Sequence, residues 1–289
     1  MMQKIKLLML LLLSAVMSFS TSAAQISTEE PEFIQWLDQP GHKALQVSVV
    51  RYQFRTGGDD RYVDLVGAVH VGDKQYYQAL NKMFKDYDVV LYELVAPEGT
   101  KIPKGGMDNE EKSWISAIQI GMKNVLGLSF QMEEVDYTPN HFVHADFTPQ
   151  EFSQSMKNKG ESFFSMFFKL WRASVSQQLT GQSSASDFDM MMALISSDRE
   201  NALKEIMAKE LASTDGMFKV LEGPEGSTLV AARNQKALKV LREQMKNTEN
   251  QSFAIFYGAA HLPDFHERLV RDFDMVPVSE QWLDAWKIK

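Results

Sequence analysis

One seven-residue pattern occurs twice, near opposite ends of this chain. Gly67-Ala68-Val69-His70-Val71-Gly72-Asp73 and Gly258-Ala259-Ala260-His261-Leu262-Pro263-Asp264 agree at four of seven positions. A lone Gly-x-x-His is weak evidence, because an isolated histidine is usually a core or capping residue. Two in equivalent settings are far more restrictive. Each follows a segment that reads as a strand and precedes one that reads as a helix, so each is a strand-to-helix turn. In open α/β sheets ligands bind outside the carboxyl ends of the strands. Glycine at a strand end lets the backbone turn or approach a neighbour closely. If the two strands are neighbours, the two imidazoles converge.

The flanking periodicities support an α/β reading. Leu45 to Phe54 alternates and is rich in Val and Tyr. Tyr62 to Val69 does the same, and Gly57-Gly58-Asp59-Asp60 between them is a turn signal, so a hairpin is expected. From Asp73, the residues Tyr76, Tyr77, Leu80, Met83 and Phe84 share one helical side. Asp88 to Val95 is an apolar run broken by Glu93, which suits a strand buried on both faces of a parallel sheet. Residues 96–109 read as a loop and Glu110 to Leu126 as a helix. Ser129 to Asp146 reads as irregular. Thr148-Pro149-Gln150-Glu151 starts a mostly helical stretch to Leu211. It contains the aromatic segment Phe163 to Trp171 and the run Met190-Met191-Met192, read as a packed cap with an apolar lid as the competing possibility.

After the break at Gly223-Pro224-Glu225-Gly226, Ser227 to Met245 reads as a helix. A strand follows at Phe253 to Tyr257, a helix at Pro263 to Asp272 and a strand at Met275 to Val278. The tail with Trp282 and Trp286 is expected to be a short packed helix. Residues 25–43 are expected to be a polar arm. The expected plan is a single α/β domain over 25–289. Its central mixed or mostly parallel sheet comes from two halves, with a large helical insertion at about 108–225.

Residues 1–24 have the form of a secretory signal peptide. Lys4 and Lys6 precede the apolar run Leu7 to Val16, and Ser22-Ala23-Ala24 offers a cleavage site before Gln25. The apolar core is shorter than the ~20 residues a membrane span needs. The expectation is export to the periplasm or beyond, with no stable membrane anchor after cleavage. There is no cysteine, so thiol nucleophiles and cysteine metal sites are excluded, and any metal must be held by His, Asp or Glu. The formal charge of -8 argues against nucleic acid as a partner.

Glu93 is the third candidate beside the two histidines. A carboxylate in Val89-Val90-Leu91-Tyr92-Glu93-Leu94-Val95 is costly to bury unless paired or bound to a cation. Its strand is expected to bring it beside His70. Two histidines and one carboxylate form a common catalytic metal set with a position left for water. His70, His261 and Glu93 are therefore the expected ligands of a divalent metal, with Glu93 as general base if it is not a ligand. His144 and Asp146 are reserve candidates, because His141, His144 and Asp146 follow the acidic Glu133-Glu134-Val135-Asp136. A solvated loop is the competing reading there. Tyr92 and Tyr257 flank the motifs as supporting groups, and His266 is expected to be structural.

Four features occur together: Gly67-x-x-His70, Leu91-Tyr92-Glu93-Leu94, Arg233-Asn234 and Gly258-Ala259-Ala260-His261-Leu262. In this order they resemble the TraB/GumN family, over roughly 60–95 and 225–280. That family includes the TIKI metalloproteases and is related in fold to erythromycin esterases and the ChaN haem-binding proteins. The resemblance implies an α/β core of two related halves with the paired histidines at its centre. It implies manganese- or cobalt-dependent cleavage of a peptide or related small-molecule carbonyl substrate, with zinc or iron as alternative metals. It also assigns Arg233 to an oxyanion or substrate carboxylate, and Asn234 to orienting a ligand. Three alternatives remain: a metal-independent esterase-like hydrolase, a haem or small-ligand binder, and an inert scaffold.

Overall fold

The computed structural model describes residues 30–106, 126–160, 187–213 and 227–289. The expected signal peptide, almost all of the helix expected at 110–126, the aromatic segment Phe163 to Trp171 and the break at Gly223-Pro224-Glu225-Gly226 lie outside the described residues.

The elements in chain order are β1 (Ile34–Gln39), β2 (His42–Phe54), β3 (Tyr62–Ala68), α1 (Lys74–Met83), β4 (Val89–Tyr92), α2 (Gln131–Glu134), β5 (Phe142–His144), α3 (Pro149–Asn158), α4 (Asp187–Ile195), α5 (Arg199–Ser213), α6 (Arg233–Gln244), β6 (Ser252–Gly258), α7 (Leu262–Asp272) and β7 (Met275–Ile288). The fold is α/β with a mixed sheet. Among the described residues the order is β1-β2-β3-β6-β4-β5, and β7 also pairs with β2. β1, β3 and β7 run antiparallel to β2. β3, β6, β4 and β5 are parallel in successive pairs.

The apolar runs are explained by burial on both faces. Along β6, Phe253, Ile255 and Tyr257 pack with Leu238 and Leu241 of α6 and Phe265 and Leu269 of α7. The alternate residues Ala254 and Phe256 pack on the other face with Tyr76, Tyr77 and Leu80 of α1. A strand covered on both sides needs no polar alternation. Thr148 caps α3 through a reciprocal pair of bonds with Glu151, as its sequence requires. No described helix is long and apolar enough to cross a membrane. Met191, Met192, Leu194 and Ile195 of α4 are exposed.

Three expectations about secondary structure are corrected. The tail is not a helix: β7 continues to Ile288 and pairs with β2 along almost its whole length. Trp282 and Trp286 are four apart, a spacing that fits both a helical turn and one face of a strand. Here a register shift opposite Leu45 and Gln46 leaves Ala285 and Trp286 consecutively buried, and Trp286 donates to the Val71 carbonyl. The arm at 25–43 contains β1, which turns back at Gly41 (φ 79°) to pair with the start of β2. Finally, the stretch read as irregular, 129–146, contains α2 and also β5, which adds a parallel edge strand beside β4. Part of the expected helical insertion thus supplies the sheet.

Candidate functional site

Four adjacent parallel strands end at one rim of the sheet. Within three residues of each end stands a residue singled out by its sequence. β3 leads to His70, β6 to Gly258 and His261, β4 to Glu93, and β5 to Asp146. The two Gly-x-x-His strands are direct neighbours, with Gly67 opposite Tyr257 and Ala68 opposite Gly258. The two motifs are therefore one residue out of step. This is the rim at which a parallel α/β sheet binds ligands.

Glu93 is at the centre. Its Oε1 accepts from Arg233 Nη2 at 2.7 Å, and its Oε2 accepts from the Gly258 N–H at 2.8 Å. Oε1 also lies 3.6 Å from His261 Nε2. A Cβ at Gly258 would sit 3.4 Å from Glu93 Oε2, at ordinary contact distance. The strand order corrects one expectation. β6 lies between β3 and β4, so the imidazole in contact with Glu93 is His261 and not His70.

Arg233 enters from the first turn of α6, just after a π-helical turn at Thr228–Ala232. Its Nε and Nη2 bind both oxygens of Asp146, at 2.8 and 2.5 Å. Nη1 reaches the Leu229 carbonyl at 3.4 Å. The guanidinium is therefore engaged with two protein carboxylates, contacts that its expected role on a substrate carboxylate or oxyanion did not include. Such bidentate pairing is the geometry for which arginine is suited.

His261 is 6% exposed and held from two sides by Asn234, which is fully buried. Asn234 Nδ2 donates to the His261 carbonyl at 2.9 Å and to Asp264 at 2.8 Å. Its Oδ1 must then be the acceptor, so His261 Nδ1 carries the proton in the 2.6 Å contact between them. Nε2 is left with its lone pair, facing Glu93. The partner of Asn234 is thus the histidine itself. His70 is exposed, and its Nδ1 lies 3.2 Å from Gln131 Oε1.

The ionisation states follow. Burial opposes charge on Glu93, but the field of His261, Arg233 and His70 and the Gly258 N–H outweigh it and hold the carboxyl down to about 2. Burial lowers His261, against the pull of Glu93, so the imidazole is neutral near pH 7. Burial also works against Arg233, but Asp146 and Glu93 raise its pKa further still. Glu93, Asp146, Arg233 and His261 together therefore carry one negative charge in excess.

This donor chemistry fits a divalent cation. Two ligands at ~2.0–2.2 Å from one ion stand about 3–4 Å apart, and the Glu93–His261 separation falls in that range. Imidazole with carboxylate suits manganese, cobalt, zinc or iron. Among the described residues no three His, Cys, Asp or Glu side chains are grouped so as to hold one ion.

Other expected residues have different roles. His144 Nε2 bonds the Leu94 carbonyl at 2.5 Å and ties β5 to the segment after β4. Of the reserve pair, only Asp146 joins the site, where it accepts from Arg233, 87 residues away, and from the Phe147 N–H. Tyr257 donates to the Ala145 carbonyl, and its ring stands edge-on to His261. Tyr92 packs on Tyr137 and His144. His266 bonds Tyr52 and is structural. Gln131 had no distinguishing signal in the sequence. Comparisons with known protein families, curated proteins and solved structures found no match for this chain.

Proposed function

We propose that this chain is an exported hydrolase of the TraB/GumN and TIKI type, acting on a peptide or related carbonyl substrate at the rim formed by Glu93, His261 and His70. On this reading the core is built of two related halves, each ending a strand in one Gly-x-x-His turn. The observation that carries the proposal is Glu93 Oε1 lying 3.6 Å from His261 Nε2, with Asn234 Oδ1 on the other ring nitrogen. Glu93 Oε1 is shared between Arg233 and this space, and a cation or a proton between it and Nε2 would bring the two groups together favourably.

A divalent metal is the group we assign there, held by His261 Nε2, Glu93 and His70. It would supply Lewis acidity toward the substrate carbonyl and the attacking water. The protein residues do the rest. Asn234 fixes the His261 tautomer and ring plane, the arrangement that commonly supports a ligating imidazole. Arg233 and the Gly258 N–H fix the Glu93 carboxylate, and Asp146 holds Arg233.

A second reading is favoured by the Arg233 contact, which already occupies Glu93 Oε1. In it no metal takes part. His261 Nε2 accepts the proton of the attacking water, and Glu93 stabilises the resulting imidazolium. Hydrolysis of a panel of peptides and esters by the purified protein, with and without chelator, separates the two. Activity lost on chelation and restored by manganese or cobalt supports the first, and activity indifferent to chelation supports the second. No hydrolysis from a folded, metal-loaded protein would overturn both.

A further inference from the structure

Asn234 and Gln131 stand in matching relation to the two motif histidines. Asn234 bonds the His261 carbonyl and faces its Nδ1. Gln131 donates its backbone N–H to the His70 carbonyl at 2.9 Å and faces the His70 Nδ1 with its amide oxygen at 3.2 Å. In both cases one amide-bearing residue holds the histidine by its main chain and its ring. The two come from unrelated elements, α6 and α2, and from different backbone settings.

Gln131 is itself fixed. It is 5% exposed, and its Nε2 donates to the Tyr137 hydroxyl at 3.0 Å. A short antiparallel bridge pairs Val71 with Phe130 and Gly72 with Ser129, which places the start of α2 against the His70 turn. Asn81 of α1 bonds the Glu134 carbonyl and the Asp136 N–H, closing the other end of α2.

We infer that Gln131 is a positioning residue for His70, as Asn234 is for His261, so that both imidazoles carry their proton on Nδ1 and present an unprotonated Nε2 to the same rim. His70, the exposed member of the pair, has this bond to order its ring. The reversed amide orientation would have Gln131 Nε2 donating to Nδ1 and would put the His70 proton on Nε2. The match to Asn234 favours the orientation with oxygen toward His70. The link to catalysis rests on the proposed hydrolase site, but the tautomer is a property of the protein without metal.

Long-range proton–nitrogen NMR of the nitrogen-labelled full chain, without metal near neutral pH, reads the tautomer directly. His70→Gln and His261→Gln variants assign the two rings. Both should show a protonated Nδ1 and a lone-pair Nε2. Gln131→Leu should convert His70 to mixed tautomers and leave His261 unchanged, whereas Gln131→Glu, which retains an acceptor, should keep the His70 proton on Nδ1. Gln131→Leu should also weaken cobalt binding by about 10- to 100-fold, the usual effect of removing such a partner. A His70 proton on Nε2 in the parent, or a His70 signal indifferent to Gln131→Leu, would overturn the inference. The expected tautomers in a protein that binds no cobalt would leave the inference standing and remove the metal from the proposed function.

Discussion

Two turns of nearly the same sequence end two neighbouring parallel strands, yet they have different physical settings. The second, at Gly258, closes into a 3-10 turn that buries His261 beside a carboxylate, an amide and the edge of Tyr257. The first, at Gly67, runs on into a two-residue bridge with Phe130 and Ser129 and leaves His70 exposed. Their glycines differ too. A Cβ on Gly67 would press at 3.2 Å on the Ser48 carbonyl and the Val47 Cβ, whereas one on Gly258 would meet only Glu93 at 3.4 Å and His261 at 3.8 Å. The first glycine serves packing against β2, whereas the second has room for a methyl group at ordinary contact distance. A repeated motif can thus supply the same functional group from one rigid position and one open position.

The largest expected effect lies on the rigid side. Arg233→Met leaves Glu93 and Asp146 buried without their counter-charge and should lower stability by about 3–5 kcal/mol, read from the urea midpoint. An effect below ~1 kcal/mol would show that the cluster is more solvated than described.

Acid should act through the same carboxylate. Folding holds Glu93 at about 2, against 4.5 as its ordinary value. Its contribution is complete above pH 4.5 and is lost as pH falls toward 2. It amounts to about 3–4 kcal/mol, at about 1.4 kcal/mol per pH unit. His261, lowered from 6.5, adds a loss in the same direction beginning below that value. Unfolding measured from pH 7 to 2 should therefore slope downward, and in Glu93→Gln the part below 4.5 should flatten.

The two amide partners should rank as their burial does. Asn234→Leu strands the His261 Nδ1–H and carbonyl and one Asp264 contact, costing about 2–3 kcal/mol, whereas Gln131→Leu releases an exposed ring and the Tyr137 hydroxyl and should cost about 1–2 kcal/mol. Equal costs in thermal unfolding would remove the distinction between the two turns. The smallest pair is Gly67→Ala, at about 1–2 kcal/mol of overpacking, against Gly258→Ala at under ~1 kcal/mol. The reversed order would show that the second turn is the more tightly packed.

The likeness of the two turns was visible in the residues, and their contrast was not. The two turns, the strands before them and the helices after them follow from local periodicity, and so does the capping box at Thr148. Glu93 was legible because a charge in an apolar run demands a partner. What could not be read was long-range. β7 resembles a helix as long as Trp282 and Trp286 are considered without β2. Asp146 looks like one acid among several until Arg233 reaches it from α6. Gln131 is an ordinary glutamine until α2 is set against the His70 turn. Arg233 was singled out beside Asn234, but the sequence could not show that its guanidinium meets two carboxylates, Glu93 and the buried Asp146.

The central claim is that both histidines serve one metal centre. It is tested most directly by metal content, measured after dialysis against equal traces of manganese, cobalt, zinc and iron, for the parent, His70→Ala and His261→Ala. The account predicts about one ion per parent chain and loss in both variants, with His70→Ala keeping its stability within ~0.5 kcal/mol as an exposed substitution should. No ion in a folded parent, or full occupancy retained in either variant, would contradict it.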